Sequence, residues 1–212
     1  MARMKESAQL TVGFDLDMTL IDSRPGIKAV YDLLAAETGV EIDSELVVSR
    51  LGPPVEQEMA NWYPAEAVPA MSDRYRALYA EFGVSDCLAL PGAYASLASV
   101  RSHGGRTVVV TGKFGPNARL NLDALELEVD ALHGTVFGTE KGARLRDEGA
   151  RIYVGDHLGD IVGARAASAV AVGVATGPYD AQALDAAGAD VVLSDLTAFP
   201  DWLAGYLEAQ PA

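Results

Sequence analysis

Only one cysteine, Cys87, occurs in the 212 residues, so no internal disulfide can form. That scarcity fits a reducing cytoplasm, and Cys87, lying before Leu88-Ala89-Leu90-Pro91, reads as ordinary packing at a domain junction. Basic residues are also few: Lys+Arg 16 against Asp+Glu 30 gives a net charge of −14. A surface this acidic repels phosphate backbones and anionic bilayers, so neither nucleic acid nor membrane is an expected partner. A small phosphorylated substrate is still admissible, because local cations set the potential inside a cleft. No apolar run is long enough to span a bilayer, and Met1 to Gln9 mixes Arg3, Lys5 and Glu6 without the apolar stretch of a signal peptide. The expectation is a soluble cytoplasmic protein, monomer or homodimer, without internal repeats or low-complexity tracts.

Strands are lacking from one long region. Elsewhere short β-rich runs alternate with helical patterns, which predicts an α/β fold with a Rossmann-like parallel sheet. The expected strands are Leu10–Phe14, Arg106–Val110, Leu132–Phe137, Arg151–Val154, Val170–Val174 and Asp190–Leu193. From Ser23 to Leu88 only helical patterns occur, punctuated by Pro25, Pro53, Pro54, Pro64 and Pro69. This is too long for a plain βα connection. The predicted organisation is a core of residues 1–22 and 89–212, with an all-helical cap inserted at 23–88. An insert after the first strand stands over that strand's C-terminal end, where open α/β sheets bind ligands.

Chemistry is concentrated at the same edge. In Gly13-Phe14-Asp15-Leu16-Asp17-Met18-Thr19-Leu20, Asp15 and Asp17 follow an apolar strand two residues apart, so both carboxylates enter one crevice. Two like charges that close need a cation, a shared proton or a charged substrate. Val108-Val109-Val110-Thr111-Gly112 ends a strand in a hydroxyl and exposed N–H groups, a cradle for phosphate oxygens. A fixed cation is offered by Lys141, which opens a helical pattern, or by Lys113; the helix-opening position favours Lys141. Ile152-Tyr153-Val154-Gly155-Asp156 ends another strand in a carboxylate, and Asp160 follows at a helix start. Three converging carboxylate groups beside a phosphate suit Mg²⁺, a hard ion with oxygen ligands. Arg50, before Gly52-Pro53-Pro54, is a candidate contact for a carboxylate or second phosphate of the substrate. His157 and the aromatic residues Trp62, Tyr63, Tyr75 and Tyr79 are read as structural.

The ordered set Asp-x-Asp-x-Thr, strand-Thr-Gly, Lys and Gly-Asp-x-x-x-Asp resembles the four motifs of the haloacid dehalogenase superfamily, from about Leu10 to about Leu207. The helical insert and Arg50-Leu51-Gly52-Pro53-Pro54 resemble its helical-cap subclass, which includes phosphoglycolate phosphatases, and Pro91-Gly92 and Val172-Gly173-Val174-Ala175-Thr176-Gly177 match the general pattern. The resemblance implies hydrolysis of a small phosphomonoester through an aspartyl-phosphate. Asp15 is then the nucleophile, and Asp17 the acid for the leaving alcohol and afterwards the base for water. Thr111, Gly112 and the lysine bind the phosphoryl oxygens, with Lys113 as a further phosphate contact. Mg²⁺ is held by the Asp15 carboxylate, the Asp17 backbone carbonyl and Asp156, with Asp160 acting through water or orienting the others. Asp17 argues against carbon–halogen cleavage, since the dehalogenases lack an acid there. Lys28, the lone cap lysine, is the only candidate for the Schiff base of phosphonoacetaldehyde-type hydrolases. Sugar-phosphate mutases share the layout and use cap cations. This cap has no histidine, and offers Arg24, Lys28, Arg50, Arg74 and Arg76. A phosphoryl-receiver domain and a non-catalytic binding relative are the remaining alternatives.

Overall fold

The computed structural model describes residues 9–210; the Met1–Ala8 part of the segment weighed above as a signal peptide lies outside the described residues. Six parallel strands form the core sheet: β1 (Thr11–Phe14), β4 (Arg106–Val110), β5 (Ala131–His133), β6 (Ile152–Gly155), β7 (Val170–Val174) and β8 (Val191–Leu193). Their order is β5-β4-β1-β6-β7-β8, as expected for an α/β core. Central strands covered on both faces read as continuous apolar runs, and β1 and β6 are buried throughout. Side chains alternate between faces. Val109 therefore joins Phe14, Leu97, Leu122 and Phe199 on one side of the sheet. Val108 and Val110 join Leu145, Tyr153, Ile161 and Leu184 on the other.

Five helices connect or flank these strands in the second half: α5 (Ala93–Ser102), α6 (Gly115–Ala124), α7 (Thr139–Asp147), α8 (Leu158–Ala167) and α9 (Ala181–Ala186). A 3₁₀ turn at Leu196–Ala198 leads into the last helix, α10 (Phe199–Glu208). Between β1 and α5 the chain makes four more helices: α1 (Arg24–Thr38), α2 (Ser44–Val48), α3 (Val55–Met59) and α4 (Val68–Leu78). A π-helical turn, Tyr79–Gly83, ends α4. The insert has its own hydrophobic cluster, including Val30, Tyr31, Leu34, Met59 and Leu78. Its two chain crossings pair as a short antiparallel ribbon of β2 (Ile21–Asp22) and β3 (Leu88–Ala89), which sequence patterning did not reveal. Two-residue strands carry no period to detect.

One expected strand is corrected. The run Leu132–Phe137 is extended only through His133, because Thr135 takes a left-handed φ of 60° and turns the chain. Val136 N–H and Thr135 N–H still donate to the Thr111 and Lys113 carbonyls, so the bent segment braces the loop after β4. Among the described residues no helix is long and apolar enough to cross a membrane.

Candidate functional site

Register places the chemistry. Phe14 pairs with Val109 on one side and Val154 on the other, so the three central strands end together. Asp15 N–H still donates to the Val154 carbonyl at 2.8 Å, after which the chain turns back. Asp15, Thr111 and Asp156 consequently emerge at one edge, where the strand order reverses direction around β1.

Asp15, Asp156 and Asp160 form a buried cluster in which each offers a carboxylate oxygen within 4.8 Å of the others. Thr19 Oγ1 donates to Asp156 Oδ1 at 2.8 Å. Asp160 sits in the first turn of α8, where its Oδ2 accepts from His157 N–H at 3.0 Å and its Oδ1 from Lys141 Nζ at 2.6 Å. His157 caps that helix, Nδ1 accepting from Gly159 N–H, which accounts for it structurally. Lys141 is 1% exposed. Its ammonium reaches Asp15 Oδ1 at 3.2 Å and Tyr153 Oη at 2.9 Å, and Tyr153 in turn donates to the Val110 carbonyl. The first turn of α7 can deliver Lys141 here because α8 presents Gly163: a Cβ there would stand 2.8 Å from Lys141 Cβ.

Three carboxylates face one ammonium. Burial, then the charges of Asp160 and Asp17, push the Asp15 carboxyl from 3.8 up to about 7, against the opposing pull of Lys141. Burial and the charges of Asp160 and Asp15 likewise hold Asp156 well above the usual carboxylate range. Burial alone would lower Lys141, yet Asp15 and Asp160 outweigh it and raise the ammonium to about 12. These directions agree: the lysine stays charged, and the cluster carries more negative charge than it can neutralise. Asp15 Oδ1 is buried and accepts no well-formed hydrogen bond despite its nearness to Lys141. A hard, all-oxygen donor set with an orphaned buried carboxylate oxygen fits a divalent cation.

Asp17 lies apart from that cluster. Lys113 Nζ donates to both its carboxylate oxygens, at 3.0 and 3.3 Å. Lys113 also stands 4.1 Å from the ring centroid of Tyr79 in the insert. Burial lowers the Lys113 ammonium, but Asp17, joined by Tyr75 and Cys87, outweighs this and leaves it above the ordinary lysine value. Thr111 is buried, its Oγ1 accepting from Lys113 N–H at 3.3 Å. The two lysines weighed against each other in the sequence thus sit on different acids, Lys141 on Asp15 and Lys113 on Asp17.

Insert and core close over the site. A Cβ on Gly112 would meet the Gly52 carbonyl oxygen at 2.6 Å, so the Gly52-Pro53-Pro54 turn rests directly on the loop after β4. Asn117 Nδ2 donates to the Arg76 carbonyl, and Tyr79 Oη to Asn121 Oδ1, one turn further along α6. The cavity between them, about 70 Å³, is lined by Asp15, Asp17, Thr111, Gly112 and Lys113 from below. Arg50, Glu58, Tyr75 and Arg76 line it from above. Arg50 is held by Glu58 through two donors, at 3.0 and 2.7 Å. Trp62 and Tyr63 pack with the insert as expected, whereas Tyr75 and Tyr79 both pack there and reach the cavity. Cys87 is a buried packing residue whose thiol donates to the Gly83 carbonyl. Sequence reasoning missed Tyr153, Glu58, Asn117 and Asn121; a tyrosine inside an otherwise aliphatic strand was the one available signal.

Known proteins resemble this chain in sequence and in fold. The phosphoglycolate phosphatase of Caulobacter vibrioides is 24% identical, the match covering 95% of this chain and 94% of that protein. The tyrosine-protein kinase PtkA of Mycobacterium tuberculosis is 29% identical over 88% of this chain and 69% of that one. Among solved structures, a predicted phosphatase from Clostridium acetobutylicum superposes with a TM-score of 0.80 at 23% identity, covering 93% of this chain and 99% of its own. The family model of haloacid dehalogenase-like hydrolases matches residues 12–201, and this chain belongs to that family.

Proposed function

We propose that the protein is a Mg²⁺-dependent phosphatase that hydrolyses a small phosphomonoester, of the class that includes phosphoglycolate, through an aspartyl-phosphate. One observation carries the reading: three buried carboxylates, one of them with an orphaned oxygen, face a single buried lysine, and one of the three, Asp15, lines the cavity between insert and core. Such a cluster makes an ionised nucleophile only when a cation compensates it. Asp15, Asp156 and Asp160 would hold that ion, with the Asp17 carbonyl as the family resemblance implies. When bound, the ion neutralises charge on the nucleophile and the phosphoryl oxygens.

In the first half-reaction an Asp15 oxygen attacks phosphorus, the bond to the alcohol breaks, and Asp17 gives its proton to the departing oxygen. In the second, Asp17 takes a proton from water as that water attacks phosphorus and releases phosphate from Asp15. Thr111, the Gly112 N–H and Lys113 are assigned to the phosphoryl oxygens, where charge is carried in phosphoryl transfer. Lys141 is assigned to Asp15, a choice supported by its burial and by the distance between them. The division into a core (1–22 and 89–212) and a cap (23–88) belongs to this reading, supported by the separate hydrophobic cluster of the insert. A monomer or homodimer in a reducing cytoplasm is proposed with it, in keeping with the free Cys87. The test is phosphate release from a panel of phosphorylated metabolites, with Mg²⁺ and with EDTA. Metal-dependent turnover is expected; a folded protein silent on every ester contradicts the reading.

A further inference from the structure

Tyr153 is out of keeping with its neighbours. On its face of the sheet the buried side chains around it, Val108, Val110, Leu145 and Ile161 among them, are aliphatic. A phenol is tolerated in such a place only when its hydroxyl is bonded. This one is bonded twice. It donates to the Val110 carbonyl at 2.6 Å and accepts from Lys141 Nζ at 2.9 Å. Asp160 Oδ1, 3.4 Å away, is a poorer place for its proton. A phenol has one proton, and β4 takes it, so a lone pair faces the lysine.

The backbone makes room for this contact. Gly13 pairs with Tyr153 across β1 and β6, and a Cβ there would stand 2.8 Å from the Tyr153 ring. A Cβ on Gly155 would overlap the Asp160 carboxylate. With Gly163 clearing the Lys141 stem, three glycines admit the three side chains that meet at the ammonium.

The ammonium is aimed by these partners. Asp160 Oδ1, at 2.6 Å, and Tyr153 Oη, at 2.9 Å, accept from it in well-formed geometry. Asp15 Oδ1, at 3.2 Å, lies within ion-pair reach yet is left without a hydrogen bond. A lysine bonded squarely to that oxygen would occupy the lone pair that a cation or a phosphorus atom needs. Resting on the phosphatase reading, we propose that Tyr153 is a positioning residue: it holds Lys141 beside Asp15 without bonding to it, and so keeps Asp15 Oδ1 free to bind the cation or to attack phosphorus. Without the hydroxyl the ammonium turns onto Asp15, where it competes with the cation and blunts the nucleophile.

The experiment is Tyr153→Phe, which keeps the ring and removes one oxygen. Titration calorimetry with Mg²⁺ alone should show its Kd raised about tenfold, the order of one hydrogen bond to a charged group. Rapid-quench phosphorylation of Asp15 by p-nitrophenyl phosphate, with Mg²⁺ saturating for each protein, should slow by about tenfold or more. Tm should fall whether the role is positioning or packing, since the Val110 carbonyl loses its donor. Mg²⁺ affinity and phosphorylation rate both unchanged from wild type would make Tyr153 a packing residue and overturn the proposal. Should Tyr153→Phe not fold, 3-fluorotyrosine placed at position 153 keeps both bonds but is a weaker acceptor. It should move both readouts in the same directions by a smaller factor, and unchanged values overturn the proposal. A wild type silent on p-nitrophenyl phosphate and on the whole ester panel refutes the phosphatase reading itself, and this proposal with it. That pattern is distinct from a wild type and a variant that react equally fast.

Discussion

Replacing Asp15 by Asn should stabilise the metal-free protein above neutral pH, although it removes the proposed nucleophile. Burial, joined by the charges of Asp160 and Asp17, lifts the Asp15 carboxyl from 3.8 to about 7. The folded state therefore keeps a proton between those values that the unfolded chain has released. Stability rises with pH where the unfolded state binds more protons; here the folded state does, so this group's contribution falls as pH climbs from about 4 to about 7. A shift of roughly three units at 1.36 kcal/mol each amounts to about 4 kcal/mol. For a chain of this size that is about 8–16 °C in Tm. Thermal melts in EDTA should show Asp15→Asn close to wild type at pH 4 and well above it at pH 8. Mg²⁺ should close most of the gap at pH 8 by stabilising the wild type, since a ligand bound only to the folded state adds stability. Equal melting temperatures at pH 8 in EDTA would refute the claim that the cluster is under-neutralised.

Lys141→Met should act in the opposite sense. It strips the only ammonium from Asp15 and Asp160, and removing one partner of a buried pair typically costs about 3–5 kcal/mol; urea unfolding should show that loss, together with abolished phosphate release. Gly112→Ala should lower kcat/KM about tenfold or more with little change in Tm, because the added Cβ would stand 2.6 Å from the Gly52 oxygen and lever the cap off the core; unchanged kinetics would mean that this contact does not close the site. Lys113→Met leaves Asp17 without its partner and, on the proposed mechanism, removes one of the three donors to the phosphoryl group. Turnover should fall by about 10²–10³, while Lys113→Arg, which keeps the charge, should recover part of it.

The sheet and its carboxylates were legible because both depend on local pattern. Apolar runs of four or five residues ending in Asp15, Thr111 and Asp156 define strand, edge and chemistry at once, and parallel register then brings the three ends together. The same logic failed for Leu132–Phe137, where Val136 and Phe137 look like the strand's continuation but the left-handed Thr135 has already turned the chain. What remained hidden is non-local. Nothing in the sequence near Asp17 points to Lys113, 96 residues away, and nothing near Arg50 reveals that Glu58 has taken its Nε and Nη2. Asn117 and Asn121 look like ordinary helix residues until their carbonyl and hydroxyl partners arrive from the insert. The choice between Lys141 and Lys113 stayed open for the same reason, since spacing alone cannot tell which acid each cation meets.

The central claim is that Asp15 is phosphorylated during turnover. Its most direct test is acid quenching of the enzyme with Mg²⁺ and a turned-over ester, followed by mass spectrometry of the peptide spanning residues 11–24. A phosphoryl group on Asp15 in the wild type, accumulating in Asp17→Asn because its hydrolysis is slowed and missing from Asp15→Asn, is the expected result. Steady phosphate release with no label on Asp15 at any quench time, or release that persists in Asp15→Asn, would contradict the account.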